Sequence, residues 1–301
     1  MFSLWIPITL TAAFCQNLRS ALQKSLKGRL STAGAAYARF FYAWPLAVLY
    51  VWALYQFGGY EVPEVNTTFL LYCFAGGIAQ ILFTVVLLWM FSFRSFAVGT
   101  TFSKLDVILI AIFGAVLLGD TIGPIAITAI IIGSIGTLFL SFQDTKLTLS
   151  GVARGLTEKA TLVGLLSAAL LGISIVCFRG ATLSVETPHF IMAAAFALAV
   201  NLIFQTLLMG GWFLVFDKIE LQKVMREWRY AAPVGVVGMA GSVCWFTAFS
   251  LQNAAYVSAL GRVELVFTFI ASVFFFREKA TWMEIVGILL IVCAIMLILL
   301  E

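Results

Sequence analysis

Read for hydropathy alone, the chain alternates long apolar runs with short polar joints. Runs near 20 residues recur from end to end, the length at which a helix crosses a bilayer. The pattern predicts ten spans at about 3–23, 33–56, 67–91, 95–118, 122–142, 160–182, 188–216, 229–250, 253–276 and 281–300. The longest polar break, "SFQDTKLTLSGVARGLTEKA", divides them into two sets of five. "SFRS" and "LQNA" leave room only for tight hairpins.

Composition sharpens this into a class. Of the 301 residues, 62% are hydrophobic and 11% are charged, and the mean hydropathy is +1.07. A water-soluble domain carries roughly 25% charged residues. The reading is an all-α integral membrane protein with no large soluble part. Its partners are then the lipid bilayer and a small-molecule substrate, without nucleic acid; monomer and homodimer both remain open. The opening "MFSLWIPITLTAAFCQ" lacks a basic n-region and reads as the first span rather than a cleaved signal. Five cysteines lie inside apolar segments with no CxxC pair, and His189 is the sole histidine. Buried small hydrophobes explain the former, and the latter excludes a multi-histidine metal site. Neither a cofactor nor a metal is expected.

The two halves echo each other. Shifted by 158 residues, Lys104 falls on Arg262, Asp106 on Glu264, Thr100 on Ser258 and Asp120 on Glu278. A shift of 160 lays Arg19 on Arg179. Five spans per half is an odd number, so the second copy enters the membrane from the opposite face. The expected organisation is a first five-helix repeat over 1–142, a linker over 143–159 and a second repeat over 160–301. In such inverted repeats, substrate sites lie near the midplane between the copies.

Ten helices in two halves, "AYARFFYAWPLAVLYV" in span two and "SALGRVELVFTFIASVFFFREKATWMEIVGILLIVCAIMLIL" as the last pair resemble the drug/metabolite transporter superfamily, EamA type. The acidic Glu278 before a helix opening "TWMEIVGILLI" is the most characteristic part. The resemblance covers the whole chain through diffuse motifs. It implies secondary transport of small organic metabolites through a central cavity by alternating access; many such proteins export amino acids or related compounds, while others import.

A base-x-acid tripeptide inside an apolar span needs a physical reason. A charge near a span centre costs roughly 2.5–3.5 kcal/mol on insertion scales unless it finds a partner or a cavity. On a continuous helix positions i and i+2 are about 200° apart, so base and acid cannot share a face. Crosswise pairs between spans four and nine follow: Lys104 with Glu264, and Arg262 with Asp106. The quartet either clamps two helices or lines the pathway and exchanges partners. A paired carboxylate is held ionised, which argues against Asp106 or Glu264 as a proton carrier.

Arg19, Arg39 and Arg179 have no acidic counterpart within the spans. Each lies near a helix end, so it either snorkels to the headgroups or faces the cavity. An arginine facing the cavity offers a bidentate fork to a carboxylate, sulfonate or phosphate. An anionic or zwitterionic substrate, amino-acid-like or an organic acid, is therefore preferred over a cation. Gln16, Asn17, Gln80, Thr84, Ser174, Asn201, Gln205, Ser242, Thr247 and Ser258 are in-span polar groups that must each find a hydrogen bond. Trp44, Trp89, Trp245, Phe246 and Tyr256 either wall a site or pack. The candidate pathway set is Lys104, Asp106, Arg262, Glu264, Arg19, Arg179, Gln16, Gln80, Trp245, Tyr256 and Ser258. A membrane-embedded lipid-modifying enzyme, or a channel or receptor, is the alternative; no HExxH, phosphate loop or acidic cluster supports the enzyme.

Orientation follows from the loops. Thirteen of the 18 basic residues fall on the connections after spans one, three, five, seven and nine, and the terminal face holds none. The positive-inside rule puts that basic face in the cytoplasm and both termini outside a cell membrane, read as a bacterial inner membrane. Ten-helix relatives of the resembling family are expected to keep both termini inside; the reversed mounting favours import.

Overall fold

The computed structural model describes residues 3–26, 28–90, 96–143, 159–274, 277 and 280–301. Glu278 and most of the 143–159 linker lie outside the described residues. In chain order the helices are α1 (Trp5–Ser25), α2 (Thr32–Phe41), α3 (Trp44–Gly58), α4 (Thr67–Met90), α5 (Phe96–Ser103), α6 (Asp106–Leu118), α7 (Pro124–Gln143), α8 (Lys159–Leu183), α9 (Phe190–Phe216), α10 (Lys218–Arg226), α11 (Trp228–Leu251), α12 (Ala254–Gly261), α13 (Val263–Phe274) and α14 (Trp282–Leu300). The protein is an all-α integral membrane protein.

Nine stretches among the described residues are long and apolar enough to cross a bilayer. Large apolar side chains such as Val116 (75% exposed) and Phe216 (71%) lie on the outside of these helices, where only lipid makes them tolerable. α1 has the length, 21 residues, but Gln16, Asn17, Arg19, Ser20 and Gln23 thin its apolar content below the others. The segment following span seven, expected as plain connection, contains the short amphipathic α10. Asp217 starts it by accepting from the Glu220 N–H at 3.0 Å.

Three spans expected to be continuous are broken. The stretch 32–58 divides at Tyr42–Ala43 into α2 and α3; 99–118 divides at Lys104–Leu105 into α5 and α6; 254–274 divides at Arg262 into α12 and α13. Around the second break the backbone tightens to i→i+3 bonds, Lys104 N–H to Thr101 at 3.2 Å and Leu105 N–H to Phe102 at 3.2 Å. Arg262 N–H to Ala259 at 3.2 Å and Leu265 N–H to Arg262 at 2.9 Å do the same at the third.

The chain forms two compact units, each drawing on both halves of the sequence. Unit 1 holds residues 1–81 and 177–252. In it α1 lies along α11, and α9 packs on α2, α3 and α11. Its core is Phe40, Phe69, Phe178, Leu198 and Leu202 between the small residues Ala43, Ala47, Ala194 and Ala197. α2 is tied to α10: Glu220 accepts from the Ser31 N–H, and the Tyr42 hydroxyl donates to the Val224 carbonyl at 2.9 Å.

Unit 2 holds residues 82–176 and 253–301. Here α7 and α14 run against each other with their backbones touching. A Cβ built on Gly136 would stand 2.7 Å from the Gly287 carbonyl oxygen, and one on Gly287 would stand 2.9 Å from that of Gly136. Only glycine fits at both positions, the close approach that small residues permit in a membrane. α14 opens on a capping box: Thr281 N–H donates to Glu284 Oε2 at 2.7 Å, and Glu284 N–H donates back to the Thr281 hydroxyl at 3.4 Å.

Candidate functional site

The base-x-acid tripeptides lie at helix breaks. Asp106 is the first residue of α6 and Glu264 stands in the first turn of α13, so each acid meets a positive helix end. Arg262 is the C-cap of α12 and Lys104 follows the last residue of α5, so each base meets a negative end. The face argument from a continuous helix does not apply, because no continuous helix passes through either motif.

One crosswise pair is present in unit 2. Arg262 Nη2 donates to Asp106 Oδ1 in a short ion pair and approaches the Lys104 carbonyl at 3.4 Å. The two side chains are only 12% and 9% exposed, so neither charge is paid for by water. The other expected pair is not formed: among the described residues the Lys104 side chain makes no ion pair, while Glu264 has other partners. Arg262 also borders a small cavity whose wall is otherwise Val107, Ile130, Ser134, Ala259 and Ile291 with small neighbours.

Tyr256 and Ser258 also belong to unit 2. The Tyr256 hydroxyl accepts from the Gly123 N–H at 3.1 Å, pinning the turn before α7. The Ser258 hydroxyl is buried without a hydrogen-bond partner among the described residues.

Unit 1 contains a second, small cavity, and its polar lining is what sets it apart. Arg39, Gln80, Asn201, Gln205 and Ser242 supply the polar wall; Phe40, Phe178, Leu198, Leu202 and Phe246 supply the apolar one. Ala43 at the α2–α3 break also lines it. Discontinuous helices of this kind frame substrate sites in transporters. Gln205 Nε2 donates to Gln80 Oε1 at 2.7 Å, and the Phe178 and Phe246 rings sit 4.9 Å apart.

Arg39 is half-buried, and among the described residues it makes neither an ion pair nor a hydrogen bond; its guanidinium lies 4.6 Å from the centre of the Phe40 ring. Arg19 comes close to it. A Cβ on Gly238 would meet the Arg19 stem at 3.3 Å and the Arg39 stem at 3.4 Å, so both arginines cross the same bare patch of α11. Two like charges brought together favour an anion beside them.

The remaining candidates of unit 1 lie apart from that lining. Arg179 donates to the Phe249 carbonyl at 2.6 Å and the Gln252 carbonyl at 2.5 Å, closing the C-terminal end of α11. Gln16 accepts from Trp245 Nε1 at 3.2 Å, and Trp245 stacks on Phe249. Of the ten in-span polar residues, the structure brings Gln80, Asn201, Gln205 and Ser242 to one cavity. Arg39 joins them, although its place near a helix end gives the sequence no means of choosing between headgroup and cavity. The break after Tyr42, with Pro45 three residues on, is the signal that a site was near.

A bundle of apolar helices, with buried ionic and polar groups at helix breaks, defines a polytopic membrane protein built around internal polar sites. Residues 158–300 match the model of the EamA-like transporter family. The matched stretch lies in the second half of the sequence. A solved structure described only as a crystal structure of a protein is 15% identical, with a TM-score of 0.74 over 99% of this chain and 96% of that one; the likeness is one of fold. No curated protein matches the chain.

Proposed function

We propose that this protein is a secondary transporter that moves a small anionic or zwitterionic metabolite across the membrane by alternating access, and is not an enzyme. The observation that carries the reading is Arg39: a guanidinium at a polar cavity, beside Arg19, with no carboxylate of the described chain bound to it. A charge kept in an apolar surrounding without a counter-ion costs free energy that an anionic solute recovers on binding. The apolar wall of Phe40, Phe178, Leu198 and Phe246 suits a short carbon skeleton.

In this reading the ten spans, α1 among them, form two inverted five-helix repeats over 1–142 and 160–301. Lys104, Asp106, Arg262 and Glu264 at the paired breaks act during the conformational cycle, and Arg19, Arg179, Gln16, Gln80, Trp245, Tyr256 and Ser258 lie along or beside the pathway. The basic loops face the cytoplasm and both termini lie outside. Support comes from the family match and from the matching positions of the two base-x-acid breaks.

Flux through proteoliposomes tests it. Protein-dependent movement of a carboxylate-bearing solute, lost in Arg39→Gln, is expected. An embedded enzyme would instead give turnover of lipid without solute movement.

A further inference from the structure

We infer that the outer face of α10, with the first turn of α11, is a docking site for anionic phospholipid headgroups of the leaflet it lies against. This goes beyond the carrier reading and does not depend on it. The placement of α10 follows from its joints. Asp217 is at once the C-cap of α9 and the N-cap of α10, and Glu227 joins α10 to α11 in the same way. Single-residue joints to two spans hold this nine-residue helix, about 14 Å long, at the depth where the spans leave the lipid. Its inner face is occupied, with Glu220 and Val224 buried against α2. Its outer face is open: Ile219 is 68% exposed, and Met225 and Trp228 are exposed as well. Apolar side chains interleaved with lysine and arginine suit a helix lying in the interface plane.

The charges of residues 217–229 are sorted by sign. Each acid is used inside the protein: Asp217 accepts from the Glu220 N–H at 3.0 Å, Glu220 from the Ser31 N–H, and Glu227 pairs with Arg29 at 3.2 Å. Of the four bases, Lys223 reaches Glu220 at 3.5 Å. Lys218, Arg226 and Arg229 are exposed and form no ion pair among the described residues. Arg226 ends α10, and Arg229 stands in the first turn of α11, where there is no acid and no side-chain cap; the Glu227 carboxylate goes to Arg29 instead. Two guanidinium groups beside a positive helix end favour an anion between them. Apolar surface adjoins the charge, since the Arg229 guanidinium lies 5.7 Å from the centre of the Trp228 ring. A small anion in solution answers only the charge, and salt screens it. A phospholipid answers both, its phosphate level with the arginines and its chains over Met225 and Trp228.

Thermal unfolding of the full-length protein in an uncharged detergent tests this, with three probes added separately: dioctanoyl phosphatidylglycerol, dioctanoyl phosphatidylcholine and glycerol 1-phosphate. Phosphatidylglycerol should raise the Tm by roughly 5–11 °C at a hundredfold excess over its half-saturating concentration, and the other two should not. Arg226→Gln with Arg229→Gln should raise that concentration about 30-fold, at the energy expected for two basic residues near a charged surface. Lys159→Gln with Arg277→Gln, which removes the same charge from two other exposed positions, should change it by less than about threefold. If the arginine variant folds poorly, Lys218→Gln at the other end of α10 should still weaken binding about fivefold. Equal shifts from phosphatidylcholine would overturn the headgroup charge as the cause. Equal shifts from glycerol 1-phosphate would make this a site for free anions. Equal losses in the two double variants would assign the effect to net charge, and no shift with phosphatidylglycerol would remove the site.

Discussion

Breaking the Arg262–Asp106 pair tests what the helix breaks are for. Asp106→Asn keeps the shape of the side chain and a polar group at the start of α6 while removing the charge. Arg262, 12% exposed, would then keep the long contact to the Lys104 carbonyl at 3.4 Å and the more distant charge of Glu264. Removing one partner of a buried ion pair costs about 3–5 kcal/mol, because the survivor stays buried with its charge uncompensated. The lost carboxylate at the N-terminus of α6 adds about 0.3–1 kcal/mol from the helix dipole. At about 2–4 °C per kcal/mol for a chain of this order of size, the melting point should fall by roughly 7–24 °C.

Arg262→Gln should cost a similar amount for the mirror reason. The double variant Asp106→Asn with Arg262→Gln buries no charge at this site, so its loss should lie within about 1–2 kcal/mol of either single change. The assay is unfolding of the detergent-solubilised protein followed by tryptophan fluorescence, completed as a double-mutant cycle. Losses that add to within about 0.5 kcal/mol would refute the pairing as an energetic unit and reduce the two motifs to independent helix caps.

Further outcomes follow from other contacts. Gly287→Val should destabilise the protein by about 3 kcal/mol or more, since its Cβ has the Gly136 carbonyl 2.9 Å away; a variant with an unchanged melting point would contradict the α7–α14 backbone contact. Arg179→Ala should cost about 1.5–3 kcal/mol by releasing the Phe249 and Gln252 carbonyls, measurable by the same unfolding assay. Arg179→Lys with unchanged solute affinity would confine that residue to structure. A reporter that fluoresces only in the cytoplasm, fused after Glu301, should stay dark; a bright signal would reverse the orientation.

Much of the fold was legible because the membrane leaves few choices. Spans near 20 apolar residues read directly, and the ends of α9, α11 and α14 fall within a few residues of the positions that hydropathy marks. α1 read less clearly, because Gln16, Asn17, Arg19 and Ser20 thin its apolar content. The breaks were not legible as breaks. Lys104–Leu105 and Arg262 carry no proline and sit in unbroken apolar runs, so hydropathy passes straight through them. What betrayed them was charge: a base followed two residues later by an acid suits the facing ends of two half-helices, and reads as a contradiction only if one helix is assumed.

Asn201 was visible as an in-span polar residue, yet its meaning depends on what its Nδ2 protons do. That is decided by Cys73, 128 residues away in sequence, and by the Ala197 carbonyl. Arg39 likewise needed the bare surface of Gly238, which lets its stem lie beside that of Arg19. Single-residue chemistry was readable; convergence onto one cavity was not.

In the proposed transport cycle a solute held at Arg39 is carried across the bilayer. Counterflow measures this most directly: proteoliposomes are loaded with a carboxylate-bearing solute, and a labelled tracer of the same compound is added outside. Tracer should accumulate above the outside level in a protein-dependent way, less in Arg39→Lys and not at all in Arg39→Gln. Binding without flux above protein-free liposomes, or flux unchanged in Arg39→Gln, would contradict it.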